Sequence, residues 1–114
     1  MRAWIIAGFL GWVVVAVGAA TPQFVEVTRQ AGIDFRYVNG ASGQKYMAEA
    51  VGSGAAFFDA DGDGWLDLYI VNGAALPGYQ GSPVSNAHFR NRGDGTFADI
   101  TSAVGTGDDG FGMG

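Results

Sequence analysis

The chain has 114 residues, 11 acidic and 6 basic side chains, and a formal net charge of −5. This length allows at most one small domain beside any targeting segment. The acidic balance argues against nucleic acid as a partner, because proteins that bind it need a basic patch. Cysteine is absent, which excludes disulfide bonds and thiol chemistry. A domain of this size needs another source of stability, and a bound ion could supply it.

The first twenty residues have the layout of a secretory signal peptide. Arg2 is their only charge, an apolar run covers residues 3–17, and small residues continue to Ala20. We expect cleavage after Ala20, or else after Ala19, and therefore a secreted or extracytoplasmic protein, periplasmic or at the cell surface if bacterial. The alternative is an uncleaved membrane anchor, since residues 3–20 are only just long enough to span a bilayer.

The rest of the chain is predicted to be almost entirely β-structure. Six short apolar or alternating runs predict strands at residues 24–28, 35–38, 55–58, 66–71, 87–91 and 96–101. The sequence at 91–95, Asn-Arg-Gly-Asp-Gly, predicts a tight turn, residues 73–83 a surface loop, and residues 43–49 at most a short helical turn. We assign residues 21–51 to an N-terminal strand and lead-in segment, and residues 52–105 to one four-stranded antiparallel unit.

Segment 59–67, Asp-Ala-Asp-Gly-Asp-Gly-Trp-Leu-Asp, is the most informative part of the chain. Its aspartates occupy loop positions 1, 3, 5 and 9, namely Asp59, Asp61, Asp63 and Asp67. Four carboxylates in so short a loop repel one another unless a cation lies among them. Oxygen donors alone favour a hard ion, calcium first and magnesium or manganese after it. The alternative is an acidic, glycine-rich hairpin turn without an ion.

This loop departs from the EF-hand pattern at its far end. An EF-hand needs a bidentate Glu at loop position 12 and helices on both sides. Here position 12 is Ile70 and the flanking runs predict strands, so Asp67 is the candidate for the last carboxylate. Gly62 and Gly64 allow the backbone to turn tightly around an ion, and Trp65 would contribute its backbone carbonyl.

The predicted four-stranded unit also has the marks of a repeat. Residues 24–32 match residues 97–105 at a constant spacing of 73 residues. Residues 66–71 are apolar on both faces, with Leu66, Leu68 and Ile70 on one side and Tyr69 and Val71 on the other. A sheet that is apolar on both faces needs cover on both, and repeat units obtain this cover by stacking on neighbours.

Residues 52–72, which include the aspartate loop, resemble an FG-GAP/VCBS repeat, the blade unit of integrin-type β-propellers. Residues 31–47, 89–101 and 110–114 are similar to the N-terminal part of the cartilage-acidic-protein-like group with ASPIC/UnbV domains. The resemblance implies a secreted calcium-binding propeller, usually seven-bladed, of which this chain is an N-terminal fragment.

The resemblance implies several assignments, some of which the loop spacing and the strand pattern already indicate. Residues 24–28 would be an outermost blade strand, residues 52–105 one blade, and residues 106–114 the start of a next, truncated blade. The calcium ligands would be the side chains of Asp59, Asp61, Asp63 and Asp67 with the carbonyl of Trp65. The fold class expected is therefore all-β, an incomplete propeller of one four-stranded antiparallel blade plus an N-terminal strand.

No arrangement of residues predicts an enzyme. The serines have no adjacent histidine or lysine in a recognisable catalytic pattern, and His88 is the sole histidine. Arg92-Gly93-Asp94 spells an integrin-recognition tripeptide, but it falls in a turn that the fold already requires. We therefore expect a non-catalytic binding or scaffold module for extracellular protein or glycan partners. The alternatives are the substrate-holding part of an extracellular enzyme and a self-associating interaction module.

Overall fold

The computed structural model describes residues 21–113, so the predicted signal segment lies outside the described residues. The regular elements are a 3-10 helix at Met47–Ala50, strands β1 at Ala55–Phe58, β2 at Asp67–Ile70, β3 at Ala87–Asn91 and β4 at Phe97–Asp99, and the one-turn helix α1 at Thr101–Val104. The strands form one open antiparallel sheet in the order β1-β2-β3-β4. This confirms a mostly β-structure with little helix. Over residues 21–113, no helix has the length and apolarity to cross a membrane.

One face of the sheet carries the core. The register places Phe57 opposite Leu68 and Leu68 opposite Phe89, so these side chains share a face. The buried cluster consists of Leu68, Ala87 and Phe89, and Ile33, Phe35, Ile70 and Phe97 pack against it half-buried. The lead-in segment before the sheet therefore supplies part of the cover that this face needs.

The opposite face carries an aromatic group around a histidine. The ring of His88 lies 5.7 Å from that of Phe58 and 5.8 Å from that of Tyr69, centroid to centroid. The hydroxyl of Tyr69 donates to the backbone oxygen of Thr106 at 3.0 Å, so the chain after α1 lies beside this face. Leu66, expected beside Leu68, precedes β2 and is exposed.

Two predicted strands are absent from the sheet, at 24–28 and 35–38. Neither pairs with a strand anywhere in residues 21–113. Residues 35–38 are held by a side chain instead: Asn72 accepts from the N–H of Val38 at 2.8 Å and donates to the oxygen of Arg36 at 3.3 Å. The predictions were wrong because alternation is a local signal, whereas a strand requires a partner edge.

The bounds of the remaining elements follow local signals. β1 and β3 begin and end where predicted, whereas β2 and β4 are shorter than predicted. After β4, the carboxylate of Asp99 accepts from the N–H of Thr101 at 2.9 Å, an Asx-turn that leads into the turn of α1. Gly105 ends that turn at φ 67°. The helical turn predicted within 43–49 is present slightly later, as the 3-10 helix.

Candidate metal centre

The loop between β1 and β2 gathers three carboxylates at one end of the sheet. One oxygen from each of Asp59, Asp61 and Asp63 lies within 4.8 Å of the others, and all three residues are exposed. Gly62 and Gly64 adopt φ of 75° and 87°, left-handed conformations that cost little only for glycine. The glycines thus allow the chain to turn back on itself so that alternate aspartates face a common point.

The backbone of the loop orients the first carboxylate. Asp59 Oδ1 accepts from the N–H groups of Gly62 at 2.8 Å and Asp63 at 3.1 Å, and its Oδ2 accepts from Gly64 at 2.9 Å. Hydrogen bonds to an ionised acceptor are stronger than neutral ones. Asp59 is therefore held in place by the loop itself, without help from another side chain.

The second and third carboxylates each use one oxygen on the backbone and turn the other toward β3. Asp61 Oδ1 accepts from the N–H of Asp63 at 3.2 Å, and Asp63 Oδ1 accepts from the N–H of Trp65 at 2.9 Å. These bonds to the backbone two residues on are Asx-turns. The Oδ2 atoms of both residues contact Arg90, at 2.5 Å for Asp61 and 3.4 Å for Asp63.

Arg90 contacts this site and was missed by the sequence prediction. Its guanidinium offsets part of the repulsion among the three carboxylates, although it is half-exposed and exposed ion pairs are weak. Leu68 pairs with Phe89, so one step further along the two strands Arg90 lies opposite the end of the loop. Strand alternation would have identified it, had the register of β2 on β3 been known.

Asp67 differs from the other three aspartates because it is buried, with 1% of its surface exposed. Its Oδ1 accepts from the N–H of Asn91 at 2.8 Å, and its Oδ2 accepts from the N–H of Ala60 at 3.3 Å. Asn91 in turn donates from its side chain to the oxygen of Leu66 at 2.9 Å. Asp67 thus ties both ends of the loop to β3. It lies outside the three-carboxylate group, and its role as a fourth ligand stays a prediction.

Trp65 connects this loop to the turn between β3 and β4. Its side chain is 53% exposed and lies against Gly93, where an added Cβ would come within 2.9 Å of the indole Nε1. The backbone N–H of Trp65 donates to Asp63 Oδ1. The use of its carbonyl as an ion ligand stays a prediction.

The donor set fits a hard divalent cation. All three side chains offer carboxylate oxygens, the ligands that calcium, magnesium and manganese prefer in proteins. Arg90 contacts two of the same three carboxylates, so an ion at this point and the guanidinium would compete for Asp61 and Asp63. An exposed acidic group of this kind could bind an ion, and its geometry does not specify which one.

Comparisons with known proteins supply no family and no relative. The chain matches no protein-family model, no curated protein and no solved structure. The resemblance to propeller repeats therefore rests on the sequence of this chain alone and stays a prediction. What can be said of the site comes from its geometry.

The surroundings of His88 indicate a packing role for this side chain. It is 5% exposed, its Nδ1 lies 3.3 Å from the hydroxyl of Thr106, and its Nε2 has no hydrogen-bond partner in the part of the chain that the structure describes. Its ring contacts are Phe58 and Tyr69. A buried ring between aromatic neighbours suits packing on this face of the sheet.

The Arg92-Gly93-Asp94 tripeptide is part of the turn between β3 and β4. Asp94 Oδ1 accepts from the N–H of Thr96 at 2.9 Å and from its hydroxyl at 2.6 Å. The hydroxyl of Thr96, and then its N–H, lower the pKa of Asp94 below its usual range. The aspartate of the tripeptide therefore has a local role, which is to close the turn.

Proposed function

We propose that this chain is a calcium-binding repeat of the β-propeller type from an exported protein, and that it serves as a non-catalytic binding or scaffold module. The observation that supports this best is the group of Asp59, Asp61 and Asp63, whose carboxylate oxygens approach within 4.8 Å. The proposed partners are extracellular proteins or glycans. Calcium is the proposed ion.

The position of the loop favours a structural role for the ion. The loop joins β1 to β2, and Asp67 fastens it to β3, so a cation there would act on three of the four strands. It would also relieve the repulsion among neighbouring carboxylates. If Asp67 and the carbonyl of Trp65 joined the three carboxylates as predicted, they would fill most of the coordination sphere, which suits stabilisation better than catalysis.

Calcium is favoured over magnesium by the form of the loop. Calcium accepts six to eight oxygens in flexible arrangements, whereas magnesium demands near-ideal octahedral geometry and keeps several waters. A loop whose donors are carboxylates on a glycine-rich backbone meets the first requirement more readily. We therefore expect stabilisation by calcium at concentrations where magnesium has a smaller effect.

The sheet supports a repeat that stacks on neighbours. All four residues of β1 are exposed, including Phe57 and Phe58, although the chain covers the core face of β2 and β3. Repeat units bury such surfaces against adjacent units. The exposed aromatic residues of β1 are thus what a blade would offer to its neighbour.

The test is the effect of calcium on thermal unfolding and on limited proteolysis. Extracellular calcium modules often have dissociation constants of roughly 10⁻⁴–10⁻³ M. At about 10 mM calcium, binding would then stabilise the fold by roughly 1.4–2.7 kcal/mol. We expect calcium to raise the melting temperature and slow digestion, and we expect Asp61→Ala and Asp63→Asn to abolish both effects.

Asp94→Asn is the matched control, since it removes an acidic side chain from the neighbouring turn and leaves the loop intact. Its response to calcium should equal that of the unaltered chain. Identical melting and digestion of the unaltered chain in calcium and in chelator would refute the proposed site.

Export is a separate part of the proposal and has its own test. It rests on the sequence of residues 1–20. Expression in a secreting host should yield a mature protein that begins at Thr21, as determined by mass spectrometry. A retained Met1 in a membrane-bound product would indicate the uncleaved anchor instead.

A further inference from the structure

A polar cleft lies at the end of the sheet opposite the metal centre. It has a volume of about 1010 Å³, comparable with the larger small-molecule sites of proteins. Its lining comes from residues within 34–39, within 79–87 and within 99–102. Successive loops of an antiparallel sheet lie at alternate ends, so the loop between β2 and β3, which forms one wall, is far from the aspartate loop between β1 and β2.

The side chain of Asn72 joins two walls of this cleft. Its Oδ1 accepts from the N–H of Val38 at 2.8 Å, and its Nδ2 donates to the backbone oxygens of Arg36 at 3.3 Å and Ser85 at 3.2 Å. The N–H of Asn72 donates to Asn86 Oδ1 at 2.7 Å, and both asparagines are buried. The walls are therefore held by backbone hydrogen bonds to buried side chains, which gives the cleft its shape before a ligand arrives.

The cleft is lined by charged side chains that have no charged partner. Asp34, Arg36 and Asp99 line it and are exposed, whereas the ion pairs within residues 21–113 are those of Arg90. Asp99 uses one carboxylate oxygen on the N–H of Thr101, which leaves it a second. A carboxylate offers acceptors only and a guanidinium offers donors only, so the cleft presents both kinds of hydrogen-bonding group.

Hydroxyl groups and one fixed aromatic ring complete this lining. The hydroxyl of Tyr37 donates to the oxygen of Val51 at 2.7 Å, and this bond holds a residue that is 37% exposed. The hydroxyl oxygen of Thr101 accepts from the N–H of His88 at 2.8 Å, so its own proton can be donated to a further acceptor. Ser102, the next residue, also lines the cleft and is exposed.

The apolar side chains of the cleft are already used in packing. Ala87 belongs to the buried core cluster, and Phe35 packs against it. Peptide segments bind through large apolar anchors that fill pockets, and neither of these side chains is available to hold one. A highly charged polymer needs a surface of one sign, whereas Arg36 shares this cleft with two carboxylates. The lining therefore favours an uncharged, polar ligand.

We propose that this cleft binds an uncharged saccharide, with Asp34, Arg36 and Asp99 hydrogen-bonded to its hydroxyl groups and the ring of Tyr37 against an apolar face of a sugar ring. Sugar hydroxyls both donate and accept, so neighbouring pairs of them match the two oxygens of a carboxylate and the fork of a guanidinium. The saccharide would be the glycan partner of the proposed function. This site therefore rests on that binding role, but it does not depend on the proposed calcium ion.

The test is saturation-transfer NMR on the full chain in calcium buffer. Maltotriose, cellotriose and N-acetylchitotriose are separate probes, and hexaglycine is the peptide probe. We expect saturation transfer to at least one trisaccharide and little to hexaglycine. Transfer to none of the trisaccharides, or equal transfer to hexaglycine, would overturn the proposal.

Thermal unfolding of the same samples distinguishes this site from the proposed ion site. An effect of calcium on melting without saccharide binding would overturn the saccharide site alone. Saccharide binding without any effect of calcium on melting would contradict the ion site and support the cleft.

Removing the charged groups should weaken binding at the cleft and nowhere else. Arg36→Ala and Asp34→Ala should each lower the affinity for the bound trisaccharide by about tenfold, because each removes hydrogen bonds to a charged group. Arg92→Ala is the matched control, since it removes the same charge from the turn between β3 and β4, at the opposite end of the sheet. An equal loss in Arg92→Ala would place the binding outside the cleft and overturn the proposal.

A blocking variant tests the cleft without removing a charge. Ser102→Trp places an indole at the lining, and Ala103→Trp places the same group on the next residue of α1, which is exposed and outside the lining. We expect Ser102→Trp to abolish saturation transfer and Ala103→Trp to retain it, with similar melting temperatures for the two. Equal binding by both variants would overturn the proposal.

Discussion

Two hairpin loops of this sheet have similar backbone patterns but differ in the number of carboxylates that they gather. The loop between β1 and β2 and the turn between β3 and β4 both alternate aspartate with left-handed glycine, at Gly62 and Gly64 in the first and Gly93 and Gly95 in the second. In both, aspartate oxygens accept from backbone N–H groups a few residues on. The first gathers three carboxylates within 4.8 Å, and the second holds one.

The difference shows that the backbone pattern alone does not bring several carboxylates together. In the turn, the single carboxylate of Asp94 is occupied by the N–H and hydroxyl of Thr96. In the loop, Asp61 and Asp63 each have an oxygen left over from the backbone bonds, and Arg90 contacts both. Repeating the aspartate at every second residue is what leaves Asp61 and Asp63 with oxygens that no backbone N–H occupies, and both of these oxygens contact Arg90.

The largest effect should come from Asp67, which anchors the loop but lies outside the three-carboxylate group. Asp67→Ala leaves the N–H groups of Asn91 and Ala60 without their acceptor. We expect a loss of about 2–3 kcal/mol in the free energy of unfolding, measured by urea denaturation in chelator.

Asp67→Asn is the matched control, since it keeps one acceptor oxygen and should lose about half as much. Asp94→Ala, in the exposed turn, should change the stability far less. A loss for Asp67→Ala no larger than that for Asp94→Ala would mean that the buried carboxylate does not anchor the loop.

Gly62 and Gly93 offer a direct comparison of the two loops, because their φ angles are 75° and 74°. Alanine pays a similar left-handed penalty at each, about 1 kcal/mol. At Gly62 an added Cβ meets nothing within 4 Å, whereas at Gly93 it meets the indole of Trp65. We therefore expect Gly93→Ala to cost about 2 kcal/mol and Gly62→Ala about 1 kcal/mol, in chelator.

A double-mutant cycle separates the left-handed penalty at Gly93 from the cost of the contact with the indole of Trp65. Combining Gly93→Ala with Trp65→Ala should cancel the extra cost, leaving the left-handed penalty that Gly62→Ala also pays. If the extra cost persists without the indole, the contact between the two loops is not its cause.

Removing the side chain of Arg90 should lower the stability only slightly, and it should strengthen ion binding. Exposed ion pairs contribute about 0.2–1 kcal/mol, so Arg90→Ala should destabilise the chain by no more than that in chelator. It also removes a positive charge from Asp61 and Asp63, which should tighten calcium binding by about fivefold, the equivalent of about 1 kcal/mol. Isothermal titration calorimetry would measure the change.

Arg92→Ala is the matched control, because it removes the same charge from an exposed position in the other turn. It should leave the calcium affinity close to that of the unaltered chain. Equal tightening by both variants would indicate a general effect of net charge and not competition at the carboxylates.

The sequence predicted those features whose information is local. β1, β3 and the turn after β3 follow from composition and turn residues over a few positions. The convergence of Asp59, Asp61 and Asp63 follows from their spacing with glycine. Each of these depends on neighbours in the chain, so no knowledge of the rest of the fold was needed.

What the sequence did not predict depends on contacts between distant segments. Arg90 reaches the loop only through the register of β3 on β2. Residues 35–38 have strand-like composition, yet Asn72, which lies 34 positions after Val38, holds them by its side-chain amide. Residues 24–28 likewise have strand composition without an edge to pair with. A single sequence does not show which distant segments contact one another, whereas the spacing of neighbouring residues can be read from it directly.

The smallest effect that we predict concerns the carboxylate of the second turn. The Thr96 hydroxyl is the main cause that lowers the pKa of Asp94, ahead of the Thr96 N–H. Thr96→Val removes the hydroxyl and leaves the N–H, so the pKa of Asp94 should rise part of the way to its ordinary value. Thr96→Ser keeps a hydroxyl and should leave the pKa low. Carboxyl chemical shifts followed by NMR through acid titration would measure both.

The same substitution should alter how stability depends on pH. A carboxyl whose pKa is lower in the folded state stabilises the fold above its unfolded pKa, and this contribution is lost as the pH falls through the folded pKa. Thr96→Val should therefore flatten the acid limb of the stability curve slightly and leave the calcium response unchanged, because Asp94 lies outside the three-carboxylate group. A changed calcium response would mean that the two loops act on one another, with the contact of Trp65 on Gly93 as the most direct route between them.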